Sequence, residues 1–124
     1  MTATIQPVLH YRDLPKAIAF LEEAFGFVEH AMHRGPDGEL AYAELTLDGC
    51  TIGAGPRADG SPFDLGPSAV YAAIDDPDTF HDRALAAGAE IVMGLTDQEY
   101  GSREFAARDT EGNVWCFGTY RPAA

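Results

Sequence analysis

Asp13-Leu14-Pro15, an apolar-periodic run and then Phe25-Gly26-Phe27 recur downstream as Asp75-Asp76-Pro77, a second such run and Ala87-Gly88-Ala89. Asp13 to Asp75, Pro15 to Pro77 and Gly26 to Gly88 keep a single offset of 62 residues. After one inserted residue the offset becomes 63, and Asp48-Gly49-Cys50-Thr51-Ile52 aligns with Glu111-Gly112-Asn113-Val114-Trp115. A repeat decides the architecture before any other feature. Each copy is too short to bury a good core alone. Two similar modules facing each other in one domain satisfy the pattern, with a cleft between them as the natural ligand site.

Outward from the repeat, the chain reads as alternating short elements. Ile5 to Tyr11 forms a first strand. Asp13 caps a helix, on which Leu14, Ala17, Ile18, Leu21 and Phe25 share one face. Gly26 ends it. Strands follow from Phe27 to Arg34, from Leu40 to Leu47 and from Cys50 to Ala54, with turns at Pro36-Asp37-Gly38 and Asp48-Gly49. In the third strand Ala41, Ala43, Leu45 and Leu47 share one face, and Leu40, Tyr42, Glu44 and Thr46 the other. The second module repeats the order: a strand over Ala69 to Ile74, and a helix opened by Asp76-Pro77 with Phe80, Ala84 and Ala87 inward. Strands then span Glu90 to Met93, Arg103 to Arg108 and Asn113 to Tyr120, with Leu95 to Gly101 as loop. Residues 1–55 form module one, 56–67 a Gly-, Pro- and Asp-rich linker, and 68–124 module two. The result is an α+β domain of two βαβββ modules, with helices on one side of curved sheets and the other side lining a cavity.

Composition narrows the partners. The 124 residues carry a net charge of −12, which opposes binding to DNA or RNA. The same charge either keeps a small protein in solution or draws in a cationic ligand. No segment is long enough to span a membrane. The start, Met1 to Pro7, has no basic region followed by an apolar one, so a cytoplasmic protein is expected. Cys50 and Cys116 make no metal or redox motif, and two free thiols fit a reducing compartment.

Three groups of residues carry a family likeness. The first is Tyr11-Arg12-Asp13-Leu14 leading into Ala17-Ile18-Ala19-Phe20-Leu21 and Ala24-Phe25-Gly26-Phe27. The second is Pro36-Asp37-Gly38 with Ala43-Glu44-Leu45. The third is Tyr100-Gly101-Ser102-Arg103-Glu104-Phe105 running on to Arg108-Asp109-Thr110-Glu111-Gly112-Asn113-Val114-Trp115-Cys116-Phe117-Gly118. In these the chain resembles the vicinal oxygen chelate superfamily of glyoxalases, extradiol dioxygenases and bleomycin-resistance proteins. The resemblance implies paired βαβββ modules cupped around cavities, and a homodimer whose chains together shape them. Enzymes of that family hold one divalent ion with side chains from the first and last strand of each module. Those positions fall near Gln6, Gly53, Ala69 and Cys116, and glyoxalases carry Glu at the last. Neighbouring registers offer His10, Thr51 and Tyr71. None of these makes a His/Glu set with three or four convergent donors, so neither metal nor other cofactor is expected.

The remaining candidates are polar and aromatic. His10 shares parity with Gln6 and faces the cavity rim, unless it is a strand-end histidine bonded to solvent. Glu44, beside Tyr42, is a ligand contact, a base of raised pKa or a solvated carboxylate. Tyr42 and Phe105, aligned at 63, face one cavity from opposite modules and suit a flat ligand by stacking. Tyr71, Tyr100 and Tyr120 lie on or near the second module's strands, with Cys116 and Tyr120 sharing a face. Trp115 and Phe117 go to the core. Arg103 shares parity with Phe105 and reaches an anionic group or a surplus carboxylate. His30 and His33, three apart on a strand, are a poor ligand pair. His81 lies on the exposed side of the second helix. The reading favours a small-molecule-binding homodimer that sequesters a planar or cationic natural product through Gln6, His10, Tyr42, Glu44, Tyr71, Tyr100, Arg103, Phe105, Cys116 and Tyr120. The alternatives are a metal-dependent lyase or dioxygenase, a metal-free isomerase using Glu44, or a structural partner protein.

Overall fold

The repeat in the sequence becomes a repeat in space. A computed structural model describes residues 3–121, so residues 1–2 and 122–124 of the two expected modules lie outside them. The first sheet holds β1 (Val8–Tyr11), β2 (Val28–Arg34), β3 (Leu40–Leu47) and β4 (Cys50–Pro56) in the order β1-β4-β3-β2. The second holds β5 (Ala69–Ala73), β6 (Glu90–Asp97), β7 (Arg103–Arg108) and β8 (Val114–Gly118) in the matching order β5-β8-β7-β6. In each sheet the first strand runs parallel to the last and the other pairs are antiparallel. One helix follows the first strand of each module: α1 (Leu14–Phe25) and α2 (Pro77–Ala86).

Local chemistry sets the helix ends. The Asp13 carboxylate accepts from Lys16 N–H at 3.1 Å and that of Asp76 from Thr79 N–H at 3.1 Å, each capping a first turn. Gly26 closes α1 at φ 84°, a conformation that glycine adopts without Cβ strain. Leu14, Ala17, Ile18, Leu21 and Phe25 are all buried, as their spacing requires.

The inner faces of both sheets and the two helices share one core. Trp115, Phe117, Phe105 and Phe25 lie in it, fully or almost fully buried. Phe25, at the end of α1, brings its ring 5.6 Å from Trp115 and 4.9 Å from Phe117 on β8, which ties module one to module two. Burying each such side chain stabilises the fold by roughly 2–3 kcal/mol. Polar staples cross the same boundary. Tyr11 Oη donates to Asp109 Oδ2 at 2.6 Å, and Arg12 and Asp13 N–H groups donate to the Glu111 carboxylate at 2.7 and 2.9 Å. Arg83 on α2 donates to the carbonyls of Glu23 and Glu22, satisfying the C-terminal end of α1.

Some element ends differ from the sequence reading. β1 starts at Val8 and β8 spans Val114–Gly118, both shorter than expected. β6 runs on to Asp97, through residues expected to be loop. Its pairing with β7 shifts register twice, and Gly94 within it mimics a strand end in the sequence. His81 is also more enclosed than expected. Its ring meets Phe105 edge-on at 5.4 Å, with Nδ1 3.1 Å from Asp82.

Candidate functional site

The strand pairing fixes which side chains share the outer faces. Glu44 sits opposite Gly53, and Ala106 sits opposite Cys116. The offset between modules is therefore 62 at β3/β7 and 63 at β4/β8. The extra residue lies in the second hairpin turn, where residues 109–113 stand for the four residues 47–50. Glu104, not Phe105, is consequently the counterpart of Tyr42. A shift of one residue exchanges the faces of a strand.

This corrects the placing of Phe105 and Arg103 among the ligand contacts, and of the two readings of Arg103 it bears out the pairing with surplus carboxylates. Phe105 is fully buried, stacked 5.4 Å from Phe117 under α2, and does not reach the outer face. Arg103, on the same side of β7, is taken by Asp78 of α2 at 2.7 Å and Asp97 at 3.1 Å. The hydrogen bond from Arg103 holds Asp78 below the usual carboxylate range, and those two carboxylates hold the guanidinium protonated. Neither Phe105 nor Arg103 can meet a ligand on the polar face. Trp115 and Phe117 are in the core as expected.

On module one the structure brings Gln6, Tyr42 and Glu44 together. Gln6 Nε2 donates to Tyr42 Oη at 2.8 Å and to Glu44 Oε2 at 3.4 Å. His33 stacks on Tyr42 at 6.1 Å and His10 on Phe63 at 6.5 Å, a ring pair the sequence reading did not include. The His10 imidazole also lies over Gly55. Gly53 has no side chain because the Tyr42 hydroxyl occupies that space: a Cβ there would collide with it and come 3.1 Å from Gln6 Nε2.

On module two Tyr71, Tyr100, Tyr120 and Cys116 gather around Glu104, which the sequence reading missed. Tyr100 Oη donates to Glu104 Oε1 at 2.8 Å. Tyr71 Oη donates to the Tyr120 carbonyl at 2.5 Å, and Ser102 Oγ accepts from Tyr120 N–H at 3.0 Å. The Tyr120 ring lies 6.4 Å from that of Tyr71 and 6.3 Å from that of Tyr100. Glu104 is only 6% exposed. Charge and burial perturb the neighbours. The Tyr100 phenol is raised because ionising it would set a second anion on its bond to Glu104. The Cys116 thiol is raised by burial and then by Glu104, and Tyr71 chiefly by burial.

The metal positions implied by the resemblance, Gln6, Gly53, Ala69 and Cys116, do not fit an ion. Gln6 is engaged by Tyr42 and Glu44, Gly53 and Ala69 bring no donor side chain, and the strand partners of Gly53 and Cys116 are Val8 and Tyr71. Among the described residues no group of three His, Cys, Asp or Glu side chains converges. At Gly53 the place of a ligating side chain is filled by Tyr42. One amide, one thiol and a neighbouring phenol, with Gly and Ala or Val at the other places, do not make a divalent site.

Both polar faces lie across their sheets from the shared core. Among the described residues the recorded side-chain contacts of Tyr42 are with Gln6 and His33, and none joins it to the rings of module two, against the expectation of a common cleft. A recess of about 310 Å³ lies elsewhere, between α1 and β2, lined by Ile18, Glu22, Glu29, Met32 and Leu40. Among the described residues no helix is long and apolar enough to cross a membrane.

Comparison with known proteins converges on one family. The family model described as Glyoxalase/Bleomycin resistance protein/Dioxygenase superfamily matches residues 5–117. The uncharacterized protein Rv0887c of Mycobacterium tuberculosis is 35% identical over 123 residues, covering 92% of this chain and 72% of its own. The crystal structure of TioX from Micromonospora sp. ML1 is similar with a TM-score of 0.80 and 28% identity, over 95% of this chain and 100% of TioX. A bleomycin-binding protein, solved in complex with bleomycin, has a TM-score of 0.70 at 20% identity, over 97% and 100% of the two chains, and supports the fold.

Proposed function

We propose that this chain, which belongs to the glyoxalase/bleomycin resistance protein/dioxygenase superfamily, is a binding protein that sequesters an aromatic or cationic natural product and so protects its host. The observation that carries this reading is the chemistry of the outer faces. They present rings and hydrogen-bonding groups where a metal enzyme of the fold would place ligands. Gln6, His10, Tyr42 and Glu44 make contacts on one face, and Tyr71, Tyr100, Cys116 and Tyr120 on the other. Sequestration needs no nucleophile, base or ion, only complementary surface. The bleomycin complex of a protein with this fold supports a natural product as ligand. Because each face is open in one chain, a homodimer supplies the opposing wall. The site of action is the cytoplasm, where the exposed Cys50 and half-buried Cys116 stay reduced.

The test is protection of a sensitive bacterial host expressing the chain, challenged with bleomycin and with a panel of cationic, aromatic antibiotics. Protection should rise with protein level, and the compound should be recovered chemically intact from the purified complex. Recovery of a transformed compound, with turnover beyond one per chain, would replace sequestration by catalysis. Absence of both protection and binding across the panel would contradict the reading.

A further inference from the structure

We infer that the three tyrosines around Glu104 form a subsite for an organic ammonium group, protonated or quaternary. This rests on the reading above that the outer faces hold the ligand, and it names what one face selects. The rings of Tyr71, Tyr100 and Tyr120 are 37%, 64% and 52% exposed, so their π-faces and edges remain available. They stand around Glu104, a residue only 6% exposed, whose one hydrogen-bond partner among the described residues is the neutral Tyr100 hydroxyl on Oε1. No described residue donates to Oε2. Oε2 is not sealed from solvent, and a cation reaching it would pair a carboxylate that has no cationic partner of its own. Aromatic faces add attraction for an ammonium in the same place.

The nearby protein cations are committed elsewhere. Arg121, whose charge is felt at Tyr71, pairs with Asp75 at 2.7 Å, and Arg103 lies on the other side of β7, held by Asp78 and Asp97. Gly118 keeps the floor open to these groups. A Cβ there would come 2.7 Å from Glu104 Cγ and 2.8 Å from Tyr71 Oη. Among the described residues module one has no equivalent subsite. Its Glu44 already faces the Gln6 amide, and Tyr42 stands where module two has Glu104. The two faces thus differ in charge selectivity although they share a fold. The net charge of −12 reinforces attraction of a cation at long range.

The experiment uses two probes of equal shape. The first is (4-hydroxyphenyl)trimethylammonium. The second is 4-tert-butylphenol, in which carbon replaces the charged nitrogen. Each is titrated into the protein and followed by backbone amide shifts. The cation should bind at least tenfold more tightly, a difference of about 1.4 kcal/mol, with shifts centred on Tyr71, Glu104 and Tyr120. In Glu104→Gln, whose amide oxygen still accepts from Tyr100, most of that preference should vanish while 4-tert-butylphenol binding stays within about twofold. Tyr120→Leu removes an exposed ring without touching the carboxylate and should also cut the preference. Equal binding of the two probes, or an unchanged ratio in both variants, would overturn the subsite and leave the wider binding role standing. Absence of any shift on either face with both probes would overturn both.

Discussion

Asp109 should be the most sensitive single position for stability. The residue is 7% exposed, and its carboxylate gathers donors from β1, β8 and the turn before β8. Oδ2 accepts from Tyr11 Oη at 2.6 Å, Trp115 Nε1 at 3.0 Å and Asn113 Nδ2 at 3.0 Å. Oδ1 accepts from the N–H groups of Glu111 at 3.0 Å and Asn113 at 3.1 Å. Asp109→Ala strands the Tyr11 and Trp115 donors, whose residues are 0% and 1% exposed. A buried donor left without an acceptor costs about 1–3 kcal/mol. Two such donors, with the turn loosened, give about 3–5 kcal/mol, a large share of the roughly 5–15 kcal/mol that holds a domain together. The melting temperature should fall by roughly 10–20 °C. Urea and thermal denaturation measure the loss directly. A double-mutant cycle with Tyr11→Phe isolates the cross-module bond, because Tyr11→Phe should cost much less once Asp109 is gone. A loss below about 1 kcal/mol, or full additivity in the cycle, would refute the claim that this carboxylate staples the modules.

Tyr11 also gives an alkaline limit. Burial, and then the Asp109 charge, raise its phenol well above the ordinary value of 10, so the folded protein retains a proton that the unfolded chain releases. Stability should be flat below about pH 10 and fall above it by up to about 1.4 kcal/mol per unit, a slope that a pH-dependent urea midpoint would show and Tyr11→Phe should reduce. Gly53→Ala should cost about 1–3 kcal/mol by displacing Tyr42 and its bond to Gln6. Gly55→Ala, whose Cβ would meet only the His10 ring at 3.6 Å and Tyr42 at 3.9 Å, should cost little; similar losses for the two would contradict the role given to the Tyr42 hydroxyl. In thiol labelling near about pH 8, Cys50 should react before Cys116, whose thiol is raised by burial and by Glu104. Glu104→Gln should speed Cys116, and peptide mapping would expose the opposite order.

The fold was legible because its signals are local and repeated. Two capping aspartates, two glycines in the left-handed conformation and apolar residues at helical spacing recur in order, and each asks for the same element twice. The cores followed, since Trp115 and Phe117 alternate with Cys116 on a strand with one buried face. The site was less legible for one reason of register. The extra residue lies in the turn after β7, not before β3, and without that knowledge the sequence pattern puts Phe105 and Arg103 on the polar face and Glu104 off it. The arginine's two carboxylates come from α2 and β6, and no spacing in the sequence reveals that meeting. The ring pair of His10 and Phe63 escaped for the same reason, because Phe63 sits in a connecting segment without periodicity. A signal for Glu104 existed: it lies two residues from Ala106 and shares that residue's face.

The central claim is that these faces recognise a ligand with side chains and not through an ion. Calorimetric titration of the chelator-stripped protein with Mn(II), Fe(II), Ni(II) and Zn(II) tests it most directly. The account predicts no stoichiometric binding at micromolar concentration, because Gln6, Gly53, Ala69 and Cys116, with the neighbouring Val8 and Tyr71, cannot supply three or four donors to one point. One ion bound per chain at micromolar affinity or tighter would contradict it.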